Sequence, residues 1–156
     1  MIFQRLRIIS GGQSGVDRAA LDFALSYGIQ CGGWCPTGRL AEDGIIPDKY
    51  PLKESITSNY EERSKLNVRD SDGTIIIYEN EMDKGTKLTL DIATGMSKPL
   101  MTINLHDEQT YVEGQIREWL SKYKISVLNV AGPRESSSPG IYRLTTKFLE
   151  KLQIEN

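Results

Sequence analysis

Ile8-Ile9-Ser10-Gly11-Gly12-Gln13-Ser14-Gly15-Val16-Asp17 is the stretch around which this chain is organised. An apolar run is cut off by a glycine pair, two polar residues and a third glycine follow, and a helical pattern starts at Val16. That is how a strand, a tight turn and a helix N-terminus look in sequence. Glycine tolerates positive φ and lets other groups approach the backbone. The first N–H groups of a helix lack intrahelical partners and stand at the positive end of its dipole, so an anion is favoured there. Gly11, Gly12, Gln13, Ser14, Gly15 and Asp17 are therefore candidate ligand residues, with phosphate or another oxyanion as the expected guest. The plainer reading is a turn that only lets strand and helix pack closely, since glycine fingerprints recur widely.

Working outward, the first strand is expected over Arg5 to Ser10. The helix after the turn repeats apolar residues at Val16, Ala19, Ala20, Phe23, Ala24 and Tyr27, a helical face ended by Gly28. Ile29 to Trp34 reads as a second strand, giving a right-handed parallel unit. The polar segment from Pro36 to Pro47 is long for a connection, and such loops often carry function. Thr37, Gly38 and Arg39 offer a hydroxyl, open backbone and a fork of donors for an oxyanion. Glu42 and Asp43 suit ribose hydroxyls or a hydrated cation; otherwise Arg39 and these acids pair on the surface for little gain.

A helix follows from Ser58 to Arg69, with Tyr60, Arg63 and Asn67 on one side. Such a stripe is either a solvated face or the wall of a site. It leads into the polar turn Asp70-Ser71-Asp72-Gly73 and then Thr74-Ile75-Ile76-Ile77-Tyr78, the run expected of a central parallel strand. Gly85-Thr86 opens a helix carrying Leu88, Ile92, Ala93 and Met96, a second candidate anion-binding N-terminus. A strand over residues 98–104, an amphipathic helix over Val112 to Tyr123 and a strand over Ser126 to Ala131 come next. The chain then turns through Gly132-Pro133-Arg134-Glu135-Ser136 into a last helix bearing Ile141, Leu144, Phe148, Leu149 and Leu152.

This alternation predicts a Rossmann-like, doubly wound α/β domain over 1–156, with about five mainly parallel strands and helices on both faces. Ligands of such sheets bind at the carboxyl ends of the strands. The turns at Gly11–Gly15, Thr37–Gly38, Asp70–Gly73, Gly85-Thr86 and Gly132–Ser136 are expected to meet there in one crevice.

Composition narrows the classes. The 156 residues carry a net charge of -2 and 26% charged side chains, which disfavours a nucleic-acid binder reliant on a basic surface. No apolar run approaches a membrane span, and the first residues lack a signal peptide's apolar segment. The cytoplasm is the expected location. Cys31 and Cys35, with His106 the sole histidine, do not complete a usual zinc site, so no metal ligands are assigned. Cys31 is expected to be buried and Cys35, before Pro36, nearer the surface. Nothing in the sequence pairs His106 with a nucleophile.

Gly-Gly-Gln-Ser-Gly-Val-Asp at 11–17, Gly-Gly-Trp-Cys-Pro at 32–36, Arg-Leu-Ala-Glu-Asp-Gly at 39–44, Asp-Ser-Asp-Gly-Thr at 70–74 and the Gly85-Thr86 pair together resemble the family named putative molybdenum carrier proteins. It is also described as the circularly permuted branch of the SLOG superfamily of Rossmann-like nucleotide-binding domains. The resemblance spans nearly the whole chain. It implies that Val130 to Ser136 is similar to the first strand and turn of unpermuted relatives, moved to the far end. It also implies a homo-oligomer, dimer or tetramer. Related phosphoribohydrolases use Pro-Gly-Gly-x-Gly-Thr-x-x-Glu; here Lys84-Gly85-Thr86-Lys87-Leu88-Thr89 keeps Gly-Thr but has Thr89 where the glutamate would be. Threonine has no carboxylate for glycosidic hydrolysis.

The expected function is thus a non-catalytic carrier or binder of a small phosphorylated, nucleotide-like ligand. The molybdenum cofactor is a named candidate beside an ordinary nucleotide. No catalytic residue is assigned. The alternative is a nucleotide or nucleoside-phosphate hydrolase using Asp17, Glu42 or Asp72 as base, with or without Mg²⁺. A scaffold with a vestigial site would leave the crevice glycines unexplained.

Overall fold

Thr74 to Ile77 are buried without a break, as befits a strand covered on both faces. The strand they form lies inside the sheet of a computed structural model that describes residues 2–154. In chain order the elements are β1 (Arg7–Ile9), α1 (Val16–Ser26), β2 (Gln30–Gly32), β3 (Trp34–Cys35), β4 (Leu40–Ala41), β5 (Gly44–Ile45), β6 (Lys53–Glu54), α2 (Tyr60–Arg69), β7 (Gly73–Tyr78), α3 (Lys84–Gly95), β8 (Leu100–Asn104), α4 (Val112–Lys122), β9 (Val127–Ala131) and α5 (Ile141–Ile154). The main sheet has five strands in the order β2-β1-β9-β7-β8. Every neighbouring pair is parallel, with Ile8 level with Cys31 and Leu128, and Ile75 level with Val130 and Met101.

Counted from β9, that order becomes 3-2-1-4-5, the Rossmann arrangement, so the chain is a Rossmann-like sheet read from its second strand. Right-handed crossovers then fix the layers. Connections stepping one way, β1 to β2 and β8 to β9, put α1 and α4 on the face that α5 also covers. Those stepping the other way put α2 and α3 on the opposite face. The core agrees: Val16, Phe23, Ile116, Trp119, Ile141 and Phe148 pack on Ile8, Ile75, Ile77, Leu128 and Val130. Gln153 Nε2 donates to Gln4 Oε1 at 3.0 Å, bringing the two ends of the described chain together.

The second strand departs from expectation. It breaks at Gly33, whose φ is +128° and whose added Cβ would lie 2.2 Å from the Ser10 carbonyl oxygen. β3 therefore leaves the main sheet and pairs with β6. The long polar segment holds the antiparallel β4–β5 pair. Leu21, Cys35, Ile46, Tyr50 and Leu52 form a second apolar cluster that seats this segment on α1. Cys35 is fully buried there, not near the surface, because it packs among Leu21, Ile46, Tyr50 and Leu52. Asp22 of α1 ties the periphery down, accepting from Tyr50 Oη and Tyr142 Oη at 2.5 Å each. Among the described residues no helix is long and apolar enough to cross a membrane.

Candidate functional site

β9 and β7 are neighbours whose following helices, α5 and α3, diverge to opposite faces, so a crevice opens at their carboxyl ends. It encloses about 1030 Å³. β9 and its exit supply Asn129, Ala131, Gly132 and Arg134; the β1–α1 turn supplies Gly11 and Gln13, and the start of α1 Asp17; α2 and α3 form the other walls. Tyr60, Arg63 and Asn67 all line it, one helical stripe on α2, and Gly85 and Thr86 line it from α3.

Arg63 lies along the crevice floor. Its Nη1 donates to the Gly11 carbonyl at 3.2 Å and reaches Asp17 Oδ2 at 3.5 Å, while its Nε is buried with no partner. A Cβ on Gly11 would come within 2.5 Å of Arg63 Cδ, so glycine is what lets the side chain cross the turn. Tyr60 covers the guanidinium, its ring centroid 5.2 Å away. Asn67 is spent on protein: its amide exchanges hydrogen bonds with the Trp34 backbone at 2.8 and 3.0 Å, holding β3. Asp17 is buried, and burial pushes its carboxyl up to about 6 against the pull of Arg63, the Gln13 N–H, Ser10 and Arg18.

On α3 the helix start is capped from within. Asp83 Oδ1 accepts the Thr86 N–H at 2.9 Å, so that N–H is not free for a ligand. Thr86 Oγ1, by contrast, is buried without a partner. Arg63 and Thr86 line the same space from opposite helices, and each keeps one buried polar atom without a partner. Native interiors rarely leave such groups unpaired, and each one asks for an explanation.

Other expected residues lie elsewhere. Gly12 and Gly15 serve packing: a Cβ would meet Leu52 Cδ1 at 2.5 Å and the Pro133 carbonyl at 2.3 Å, respectively. The Gln13 N–H goes to Asp17 and the Ser14 N–H to the Gln13 side chain, so much of the turn is satisfied internally. Arg39 does not face the crevice. Its guanidinium donates to the carbonyls of Ile46, Leu52, Pro47 and Tyr50, stapling the segment between β5 and β6. Thr37 and Gly38 bind Ser55 and Glu54. Asp43 pairs with Arg18 at 3.0 Å. Glu42 accepts from Ser14 and from Ser136 N–H and hydroxyl, knotting three loops at the rim. Burial works against its ionised form, but the bonds from Ser136 and Ser14 hold its carboxyl below the usual value. Pro133 accepts the Val16 N–H, and Glu135 caps α5 through Gly140 and Tyr142.

Asp70, Ser71 and Asp72 are corrected outright. They precede β7, so they sit at the amino ends of the strands, opposite the crevice. Asp72 Oδ2 accepts from Ser126 N, Ser126 Oγ and Val127 N at 3.0, 3.0 and 2.8 Å. Asp70 binds Trp34 Nε1 at 2.8 Å. His106 is exposed and outside the crevice.

The sequence reading missed Asp83, Lys84, Lys87, Thr89 and Asn129. Asp83 had a signal, an acid three residues before Thr86 at a helix start. Asn129 had none, being a polar residue inside an apolar strand; its Nδ2 donates to Thr74 Oγ1 at 3.2 Å. Among the described residues no group of three or more His, Cys, Asp or Glu is placed to hold a metal ion.

The model of the circularly permutated YpsA SLOG family matches residues 8–153. A crystal structure described as the putative molybdenum carrier protein from Syntrophus aciditrophicus SB is 45% identical and superposes with a TM-score of 0.91, covering 96% of this chain and 95% of that one. No curated protein matches.

Proposed function

Because the chain belongs to the circularly permutated YpsA SLOG family, we propose that its crevice binds a small phosphorylated, nucleotide-like ligand and carries it without turnover. One observation carries the reading: Arg63 and Thr86, each with a buried polar atom that has no partner, both line one space of about 1030 Å³. That space is at the large end for small-ligand sites, ample for a nucleotide or a pterin bearing a phosphate. Arg63 and Thr86 would turn their unpaired polar groups toward a ligand oxygen, and the exposed lysines at 84 and 87 would add charge at the α3 start. Tyr60 offers an aromatic face for a flat ring.

The neighbour's description as a molybdenum carrier makes the molybdenum cofactor a candidate cargo. The donors here suit its phosphate and ring. Cys31 and Cys35 are not among the crevice residues, so recognition would rest on those parts rather than on thiolate ligation of the metal. Carriage rather than hydrolysis is supported by Thr89, whose hydroxyl bonds the Gly85 carbonyl at 3.3 Å where the phosphoribohydrolase motif has a glutamate.

Calorimetry with AMP and adenosine tests this. AMP is expected to bind at least about tenfold more tightly, and Arg63→Gln or Thr86→Val to remove most of that difference, since a hydrogen bond to a charged group is worth about 1.5–3 kcal/mol. AMP recovered intact after hours with the protein supports a carrier. Equal affinities, no binding, or release of adenine or phosphate overturns the proposal.

A further inference from the structure

Asp17 and Arg63 face each other in the crevice with side chains 9% and 12% exposed, yet their nearest atoms are 3.5 Å apart. A tight charge-assisted bond is about 2.7–2.9 Å. The pair is loose because Arg63 Nη1 is shared with the Gly11 carbonyl, and Nε has no acceptor at all. Thr86, which lines the crevice from α3, also has its Oγ1 buried without a partner. An oxyanion bound by Arg63 comes to rest beside the buried Asp17 carboxylate, and a second negative charge that close favours the protonated carboxyl. The charges acting on Asp17 are Arg63 from α2 and Arg18 from its own helix, the latter occupied by the Gly12 carbonyl and Asp43. The walls add Glu61 on α2, Asp83 at the cap of α3, Lys84, Lys87 and Asp91 on α3, and Arg134 after β9.

We propose that the crevice takes up its oxyanion together with one proton, which settles on Asp17 and releases Arg63 to the ligand; this rests on the phosphate-binding reading above. The carboxyl stays in place and changes role, from a partner competing for Arg63 to a neutral hydrogen-bond donor toward the ligand. The proton comes from solvent, and no covalent bond is made or broken. Asp17 sits near 6 in the free protein, so it is mostly ionised at neutral pH and the anion must bring the proton in.

Sulfate is the probe, because it does not itself titrate near neutral pH. At constant ionic strength and about pH 7, calorimetry in two buffers of different ionisation enthalpy is expected to give close to one proton taken up per sulfate. Affinity is expected to fall about tenfold per pH unit from roughly pH 6.5 to 8. Asp17→Asn is expected to take up no proton and to bind at about pH 8 as tightly as the parent does at about pH 5.5. His106→Gln should keep the parent profile, since His106 is exposed and away from the crevice. The proton count on the parent protein stands even if Asp17→Asn fails to fold. Sulfate binding that is independent of pH or takes up no proton overturns this inference and leaves the anion site standing. Sulfate that binds at no pH overturns both.

Discussion

Burial raises the Asp17 carboxyl from 3.8 to about 6, so the folded protein holds this proton more tightly than the unfolded chain does. Stability from this group is fully present below about pH 4 and is lost as pH rises through 6. At about 1.4 kcal/mol per unit the loss is of order 3 kcal/mol. Urea unfolding of Asp17→Asn beside the parent should therefore show the variant gaining up to about that amount between pH 4 and 7, as the parent's carboxylate ionises. A difference that stays flat with pH would mean that Asp17 is not desolvated in the fold. Arg39 teaches the complementary point. Its type suits an oxyanion, but the same fork of donors also fits backbone carbonyls, and four of them surround it. The sequence names the donor; only the path of the chain from Ile46 to Leu52 names the acceptors.

At the scale of elements, the turn before β7 works as a stitch. Asp72 joins the starts of β7 and β9 through three donors of Ser126 and Val127. Burial alone would raise its carboxyl, but the bonds from Val127 and Ser126 outweigh that and hold it below the usual range. Its stability contribution is therefore present at neutral pH and fades as pH falls through its folded value. Asp72→Ala is expected to cost about 1–3 kcal/mol in urea unfolding and to leave AMP affinity within about twofold. A folded variant that no longer binds would place this turn in the site after all. The turn was misread because composition carries no direction. A polar glycine turn that precedes a strand sits at its amino end, and one that follows it sits at its carboxyl end. Period was more dependable. The spacing of Tyr60, Arg63 and Asn67 put one stripe of α2 on the crevice, and the unbroken branched run of β7 marked an inner strand. The break at Gly33 had no such signal, because it follows from how closely that backbone passes Ser10, a contact made only in the fold.

For the whole molecule, the strand order makes the position of the chain break a separable property of the fold. Alternation of strands and helices gave the layers, but it could not say which strand lies in the centre, because β9 reaches that place from the far end of the chain. β9 carries hydrogen-bonded neighbours on both sides and with its exit supplies Asn129, Ala131 and Gly132 to the crevice, so this strand completes both sheet and site. Gln4 and Gln153 touch, while the connection between α4 and β9 turns at Lys124, which is exposed and has φ +52°. A chain opened between Tyr123 and Lys124, with its old ends joined by roughly six glycine and serine residues, would read the strands as 3-2-1-4-5 from its first residue. It should fold to the same far-UV spectrum, lose no more than about 2 kcal/mol, and bind AMP as the parent does, because closure entropy changes slowly with loop length and every sheet pairing is kept. If it fails to fold, the tight turn from Leu120 through Ile125 is doing more than joining α4 to β9. If it folds but does not bind, the path from β9 through Gly132 to α5 depends on where the chain is opened, and the permutation belongs to the function rather than to the fold alone.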